Sequence, residues 1–146
     1  MKLSVRHANS GDIPALRQLL GQLSGHEPSP QQVEDRLALV AHSPHDSLYV
    51  CEQGGVVLGA LGFRIRENLE EVSRYAEISL LVVLDEARRQ GVGRFMMDHA
   101  EKLAHREGCK GTWLVSGFGR EEQAHRFYEE LGYKATGYRF VKCFEC

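Results

Sequence analysis

The 146-residue sequence predicts an α+β domain: one central, mixed sheet with helices on both faces, a three-layer α/β arrangement. Three observations carry that reading. Hydrophobic periodicity switches along the chain in the order β-α-α-β-β-β-α-β-α-β. The apolar run Leu80-Leu81-Val82-Val83-Leu84 fits a strand covered on both sides. Three of the helical stripes stop at a glycine. With 42% apolar and 26% charged residues, the composition is that of a globular chain, and residues 1–146 read as a single domain.

Each element has a local cause. Residues 3–8 alternate as a short strand does, with Leu3 and Val5 against Ser4 and Arg6. Asp12 is a cap candidate and Pro14 suits a first helical turn; Ile13, Leu16, Leu19, Leu20 and Leu23 follow at helical spacing up to Gly25. Ser29-Pro30-Gln31-Gln32 reads as a capping box opening a second helix with Val33, Leu37, Val40 and Ala41 inward. Leu48–Glu52 and Val56–Ile65 flank Gln53-Gly54-Gly55 as a hairpin. After polar residues Arg66–Glu71 a long strand is expected over Val72–Leu84. Val92, Met96, Ala100 and Leu103 stripe a third helix that ends at Gly108. Thr112–Ser116 reads as a strand. Ala124, Phe127, Tyr128 and Leu131 mark a last helix before Gly132, and Tyr138–Phe144 is expected to be a final strand.

Composition also excludes. Eighteen Lys+Arg against 20 Asp+Glu leave a net charge of −2, without the basic excess of a nucleic-acid binder. No apolar run reaches the ~18 residues of a membrane span, and residues 1–6 carry no secretory signal, so a cytoplasmic protein with reduced thiols at Cys51, Cys109, Cys143 and Cys146 is expected. The terminal Cys143-x-x-Cys146 has no second pair beside it, and His42 and His45 lack an H-E-x-x-H context; no metal is expected.

The chemistry is concentrated after the Leu80–Leu84 run. A short polar turn leads into Arg88-Arg89-Gln90-Gly91-Val92-Gly93-Arg94, which opens the third helix. A helix N-terminus presents unpaired backbone N–H groups and partial positive charge, so an anion binds there. Gly91 and Gly93 let the backbone come close, and three arginines add donors. No Gly-Lys-Ser/Thr follows, and Met96 occupies the third glycine position of the dinucleotide fingerprint, so neither of those phosphate motifs is present.

Arg88-x-x-Gly91-x-Gly93 after Leu81-Val82-Val83 resembles motif A of the GNAT superfamily of N-acetyltransferases. Ala124-His125-Arg126-Phe127-Tyr128-Glu129-Glu130-Leu131-Gly132-Tyr133 resembles its motif B. The resemblance covers about residues 76–140 and implies a mostly antiparallel sheet whose fourth and fifth strands splay apart around acetyl-CoA. It places the pyrophosphate on Gln90, Gly91, Val92, Gly93 and Arg94 with Arg88 and Arg89 beside them, and the pantetheine arm along the backbone of Leu81, Val82 and Val83. It implies Tyr128 as the acid that protonates the departing CoA sulfur, and Glu77, six residues before Val83, as the base. Three departures stand out: Asp85 where the family often has Pro, Glu121 where many members have a CoA-contacting Asn, and Leu80 in place of a frequent acidic residue.

An alkylamine with pKa ~10.4 must lose a proton before it attacks a thioester, the oxyanion needs a donor, and the thiolate gains from a proton. The expected reaction is therefore direct transfer from acetyl-CoA to a primary amine of a small molecule, with no acetyl-cysteine. Acetylation of a protein or peptide, or a non-catalytic CoA-binding regulatory module, are the alternatives; Tyr128 and the complete loop favour catalysis. Glu67, Glu70 and Glu71 lean weakly toward a cationic acceptor such as a polyamine or aminoglycoside. Nucleic acid and membrane are not expected partners, and a homodimer is left open.

Overall fold

The computed structural model describes residues 2–116 and 121–146, without the side chains of residues 121 and 122. Strands β1 (Leu3–His7), β2 (Asp46–Gln53), β3 (Val56–Asn68), β4 (Ser73–Val83) and β5 (Gly111–Leu114) form one sheet in sequence order. The first three pairings are antiparallel, and β4 with β5 is parallel. Helices α1 (Ile13–Ser24) and α2 (Pro30–His42) follow β1, α3 (Val92–Arg106) joins β4 to β5, and α4 (Glu121–Glu130) follows β5.

The sheet separates two cores. One face packs Leu16 and Leu19 of α1 and Val33 of α2 on Val50, Ala60 and Val82. The other packs Val92, Met96, Met97 and Ala100 of α3 on Leu61, Phe63, Ala76 and Ile78, with Phe127 and Tyr128 of α4 at its margin. The Leu80–Leu84 run, whose apolar pattern predicts cover on both sides, thus lies in the layer between them.

Local signals explain most helix ends. Ser29 Oγ accepts from Gln32 N–H at 3.1 Å and Ser29 N–H donates to Gln32 Oε1 at 2.8 Å, the reciprocal box expected at α2. Asp12 differs from expectation: it precedes α1 but makes no cap bond to it. Its carboxylate is buried, takes both Arg6 Nη groups at 2.8 Å, and accepts the Asn9 N–H. The Arg6 hydrogen bonds hold its pKa below the usual carboxylate range.

Two expectations at the C-terminus are corrected. Tyr138–Phe144 forms no strand, and Tyr138, Phe140 and Phe144 are almost wholly exposed. Their alternation is real, but a strand needs a neighbouring edge, and no ladder among the described residues includes them. Cys143 and Cys146, expected as free thiols, are joined by a disulfide; the C-x-x-C turn brings their Cα atoms to 5.9 Å, within bonding span.

Candidate active site

The geometry of the cleft follows from the β4 ladders. Leu84 N–H donates to Leu58 O, and the register continues as Gly59↔Val83, Ala60↔Val82 and Leu61↔Leu81. Antiparallel pairs alternate between bonded and non-bonded, so Val82 turns its backbone groups toward Ala60. Leu81 and Val83 turn theirs the other way. There β5 pairs only with Tyr75–Ile78 and ends at Leu114, so residues 79–83 have no β5 neighbour. Of the three residues expected along the pantetheine arm, Leu81 and Val83 therefore have their N–H and C=O groups on the open edge, and Val82 does not.

At the end of this edge the chain turns into the anion cradle. Arg89 has φ 64° and Gly91 φ 80°, both left-handed. No atom lies within 4 Å of where a Cβ on Gly91 would sit, so only its backbone conformation calls for glycine there. Alternation of this kind makes N–H groups converge. The first backbone bond of α3 is Phe95 N–H to Gly91 O, which leaves the N–H groups of Gly91, Val92, Gly93 and Arg94 without helical partners. Gly93 has a packing reason to be small. A Cβ on it would lie 3.3 Å from Phe127 Cζ and 3.8 Å from Val83 Cγ2, so its smallness lets α4 pack across α3 and β4. Arg88 pairs with Asp85 at 2.9 Å, so the residue standing in the family's Pro position partly neutralises that arginine. Gln90 donates to Glu86 O, and Arg94 lines a groove between α3 and α4 with Phe95, Glu130 and Leu131.

Gln22 on α1 is a part of the site that sequence reasoning missed. Its Nε2 donates to Val83 O at 2.7 Å and its Oε1 accepts from Asp85 N–H at 3.0 Å. One amide thus spans the end of β4 and the turn that follows, and it occupies the Val83 carbonyl. The polar break in the Leu19–Leu23 stripe was its only sequence trace.

Tyr128 and Tyr133 have opposite situations. The Tyr133 hydroxyl shares a hydrogen bond with Thr112 Oγ1 at 2.5 Å, which ties the end of α4 to β5. The Tyr128 hydroxyl has no hydrogen-bond partner among the described residues, while its ring packs edge-on to Phe127 and Tyr133 at 5.1 and 5.9 Å. Burial, followed by the neighbouring Tyr133, pushes the Tyr128 pKa above that of an ordinary phenol, so it stays protonated at neutral pH.

Glu77 lies in a cross-sheet row. Asp46 pairs with Arg64, Arg64 with Glu77, and Glu77 with Trp113, so the four side chains share one face. Gly62 pairs with Leu80 and Phe63 with Ile78, which makes Ser79 a bulge. That extra residue puts Glu77 on the same side as Leu80, on the α1/α2 face. Glu77 is 21% exposed and 3.8 Å from Arg66 Nη1. The acidic connection is less available than its sequence promised: Glu67 binds Arg74 at 2.6 Å, and Glu71 accepts from Ser73 and faces Lys110.

The free cysteines, Cys51 and Cys109, both have raised thiol pKa values. Burial pushes the Cys51 thiol up to about 11 and raises that of Cys109. Among the described residues no group of three or more His, Cys, Asp or Glu is placed to hold a metal ion. No helix among them is long and apolar enough to cross a membrane. The side chain of Glu121 lies outside the described residues.

A strand edge that continues beyond the end of β5, beside a helix N-terminus whose first-turn N–H groups lack helical partners, is suited to an extended ligand that carries an anionic group. Comparison with known proteins agrees. Residues 13–133 match the acetyltransferase (GNAT) family. The aminoalkylphosphonate N-acetyltransferase of Salmonella typhimurium is 30% identical over 138 residues, 94% of this chain and 89% of that one. Among solved structures, a transcriptional regulator from Bacillus halodurans superposes with a TM-score of 0.88 at 24% identity, covering 98% of this chain and 100% of its own. A GNAT family acetyltransferase of Staphylococcus aureus superposes with a TM-score of 0.82 at 22% identity, covering 99% and 100%. The chain belongs to the GNAT family of acetyltransferases.

Proposed function

We propose that this enzyme transfers the acetyl group of acetyl-CoA directly to the primary amine of a small molecule, with Tyr128 as general acid and Glu77 as base. The observation that carries the reading is the Tyr128 hydroxyl, which has no hydrogen-bond partner among the described residues and whose pKa burial raises, at the margin of the core that α3 forms on β3 and β4. The first-turn N–H groups of α3 fit a pyrophosphate, and the Leu81 backbone fits an amide-containing arm laid along the strand.

The steps follow from these groups. Glu77 takes the proton that the ammonium must lose, directly or through water. The neutral amine attacks the thioester carbonyl, and a backbone N–H of the open edge is suited to the oxyanion that forms. The intermediate collapses by breaking the C–S bond, and Tyr128 gives its proton to the leaving sulfur. The nitrogen, positive since its attack, gives its remaining extra proton to the Tyr128 phenolate directly or through water, which restores the acid; the amide and CoA leave, and Glu77 releases the first proton to solvent. A small acceptor is supported by the Salmonella relative, whose name specifies an aminoalkylphosphonate.

The test is thiol release from acetyl-CoA across amines, polyamines, aminoglycosides, amino acids and peptides. Transfer to small amines is expected. Transfer to peptides alone would overturn the small-molecule reading, and acetyl-CoA binding without transfer to any amine would overturn the catalytic one.

A further inference from the structure

We propose that the row Asp46–Arg64–Glu77–Trp113, with Arg66, is the acceptor site, and that it selects short amines carrying an oxyanion. The inference rests on the reaction proposed above, because it takes Glu77 to face the reacting amine.

The row holds more donor capacity than the protein uses. A guanidinium presents a fork of N–H groups matched to phosphonate, phosphate or carboxylate. Of all those on Arg64 and Arg66, only Arg64 Nη1 donates a hydrogen bond among the described residues, to Asp46, which Ser43 also holds. Arg64 Nε is buried without a hydrogen-bond partner among the described residues. Arg66 lies 5.9 Å over the Trp113 ring, and its 3.8 Å approach to Glu77 is too long for a hydrogen bond. Half-exposed and oriented by the indole, Arg66 can turn to an incoming anion at little cost.

A purely structural charge cluster would satisfy its buried donor at Arg64 Nε; here that donor and the half-exposed fork of Arg66 beside it have no hydrogen-bond acceptor among the described residues. An oxyanion takes Arg64 and Arg66, and the amine end lies at Glu77, toward the Ser79 bulge and the open Leu81 edge. Neighbouring strand positions are ~4.5–5.5 Å apart, so amine and oxyanion fit when separated by a few bonds. A second cation would meet the two arginines instead, which argues against polyamines. The acids that pointed toward a cationic acceptor do not oppose this, since Glu67 and Glu71 already face Arg74 and Lys110.

The experiment compares aminoethylphosphonate, phosphoethanolamine and β-alanine with propylamine and diaminopropane, for wild type, Arg66→Gln and Arg64→Gln. Two readouts are taken: kcat/KM by thiol release, and the thermal shift each compound gives in the presence of CoA. At least one oxyanion-bearing amine is expected to exceed propylamine and diaminopropane, the three arms showing which oxyanion is taken. The ratio of kcat/KM, oxyanion-bearing amine over propylamine, should fall about ten- to a hundredfold in each variant, the worth of a charge-assisted hydrogen bond. Arg66→Gln keeps the Arg64–Asp46 pair, so it remains informative if Arg64→Gln folds poorly. No preference for the oxyanion, a preference for diaminopropane, or an unchanged ratio in Arg66→Gln overturns the proposal. If no amine is acetylated, an oxyanion-dependent thermal shift lost in Arg66→Gln still supports the site and places the failure in the proposed reaction; absence of that shift as well overturns both.

Discussion

Gly91 and Gly93 stand two residues apart, yet the structure gives them different reasons to be glycine, and substituting them separates the cradle from the packing beneath it. Gly91 has φ 80° and open space where a Cβ would go. Valine there meets no atom but must either remain left-handed, at about 1–2 kcal/mol, or leave that conformation. Residues 88–91 are exposed, so the loop is free to relax, and the first-turn N–H groups then lose their common direction. Relaxation returns the strain to the free protein and moves the loss into binding. Gly91→Val should therefore keep the thermal midpoint of the free enzyme close to wild type while weakening acetyl-CoA about five- to thirtyfold, the factor equivalent to that energy. Gly93→Ala should do the reverse: its Cβ presses on Phe127 Cζ at 3.3 Å, so stability falls first. Isothermal titration with acetyl-CoA and thermal denaturation read the two quantities independently. Wild-type affinity in Gly91→Val would refute the assignment of the cradle.

Further outcomes follow from other parts of the site. Gln22→Leu removes both bonds to Val83 O and Asp85 N–H, about 1–3 kcal/mol in all; the KM for acetyl-CoA should rise more than kcat falls, as steady-state kinetics can show. Glu77→Gln should lower kcat/KM most at low pH, with the deficit shrinking as pH rises and more amine is neutral on its own; a pH-independent deficit would assign Glu77 to binding or structure. His99 has its pKa lowered by burial, then by Arg106 and Lys102, and its Nε2 is buried without a hydrogen-bond partner among the described residues. The unfolded chain therefore binds the proton more readily, so stability should fall as pH drops from about 6.5 toward the folded value. Denaturant midpoints across that range should show the fall, and His99→Leu should flatten it.

Short-range chemistry was readable from the sequence. The Ser29–Gln32 box, the glycines closing α1, α3 and α4, and the amphipathic stripe of α3 each act within a turn or two of chain. The two motifs were readable because their residue spacing is itself the geometry of a strand, a turn and a helix. What escaped depends on distant partners. Gln22 reaches residues 61 and 63 positions away. The Asp46–Arg64–Glu77–Trp113 row exists only through the ladder register and the Ser79 bulge, which changes the side on which every earlier β4 residue points. The packing of Gly93 against Phe127 also joins positions 34 residues apart, which the spacing of motif A does not show. The Tyr138–Phe144 alternation had the right period, but period alone supplies no edge to pair with.

The central claim is that Tyr128 is the acid of an acetyl transfer and not a packing residue of α4, and Tyr128→Phe tests it most directly. The substitution keeps the ring with its contacts to Phe127 and Tyr133 and removes a hydroxyl that has no hydrogen-bond partner among the described residues. Thermal stability and acetyl-CoA affinity should stay near wild type while kcat for the best amine falls by ~10²–10⁴. Tyr133→Phe is the counterpart: it breaks the bond to Thr112 and should cost stability, about 0.5–1.5 kcal/mol, with little loss per folded molecule. Wild-type kcat in folded Tyr128→Phe would contradict the account.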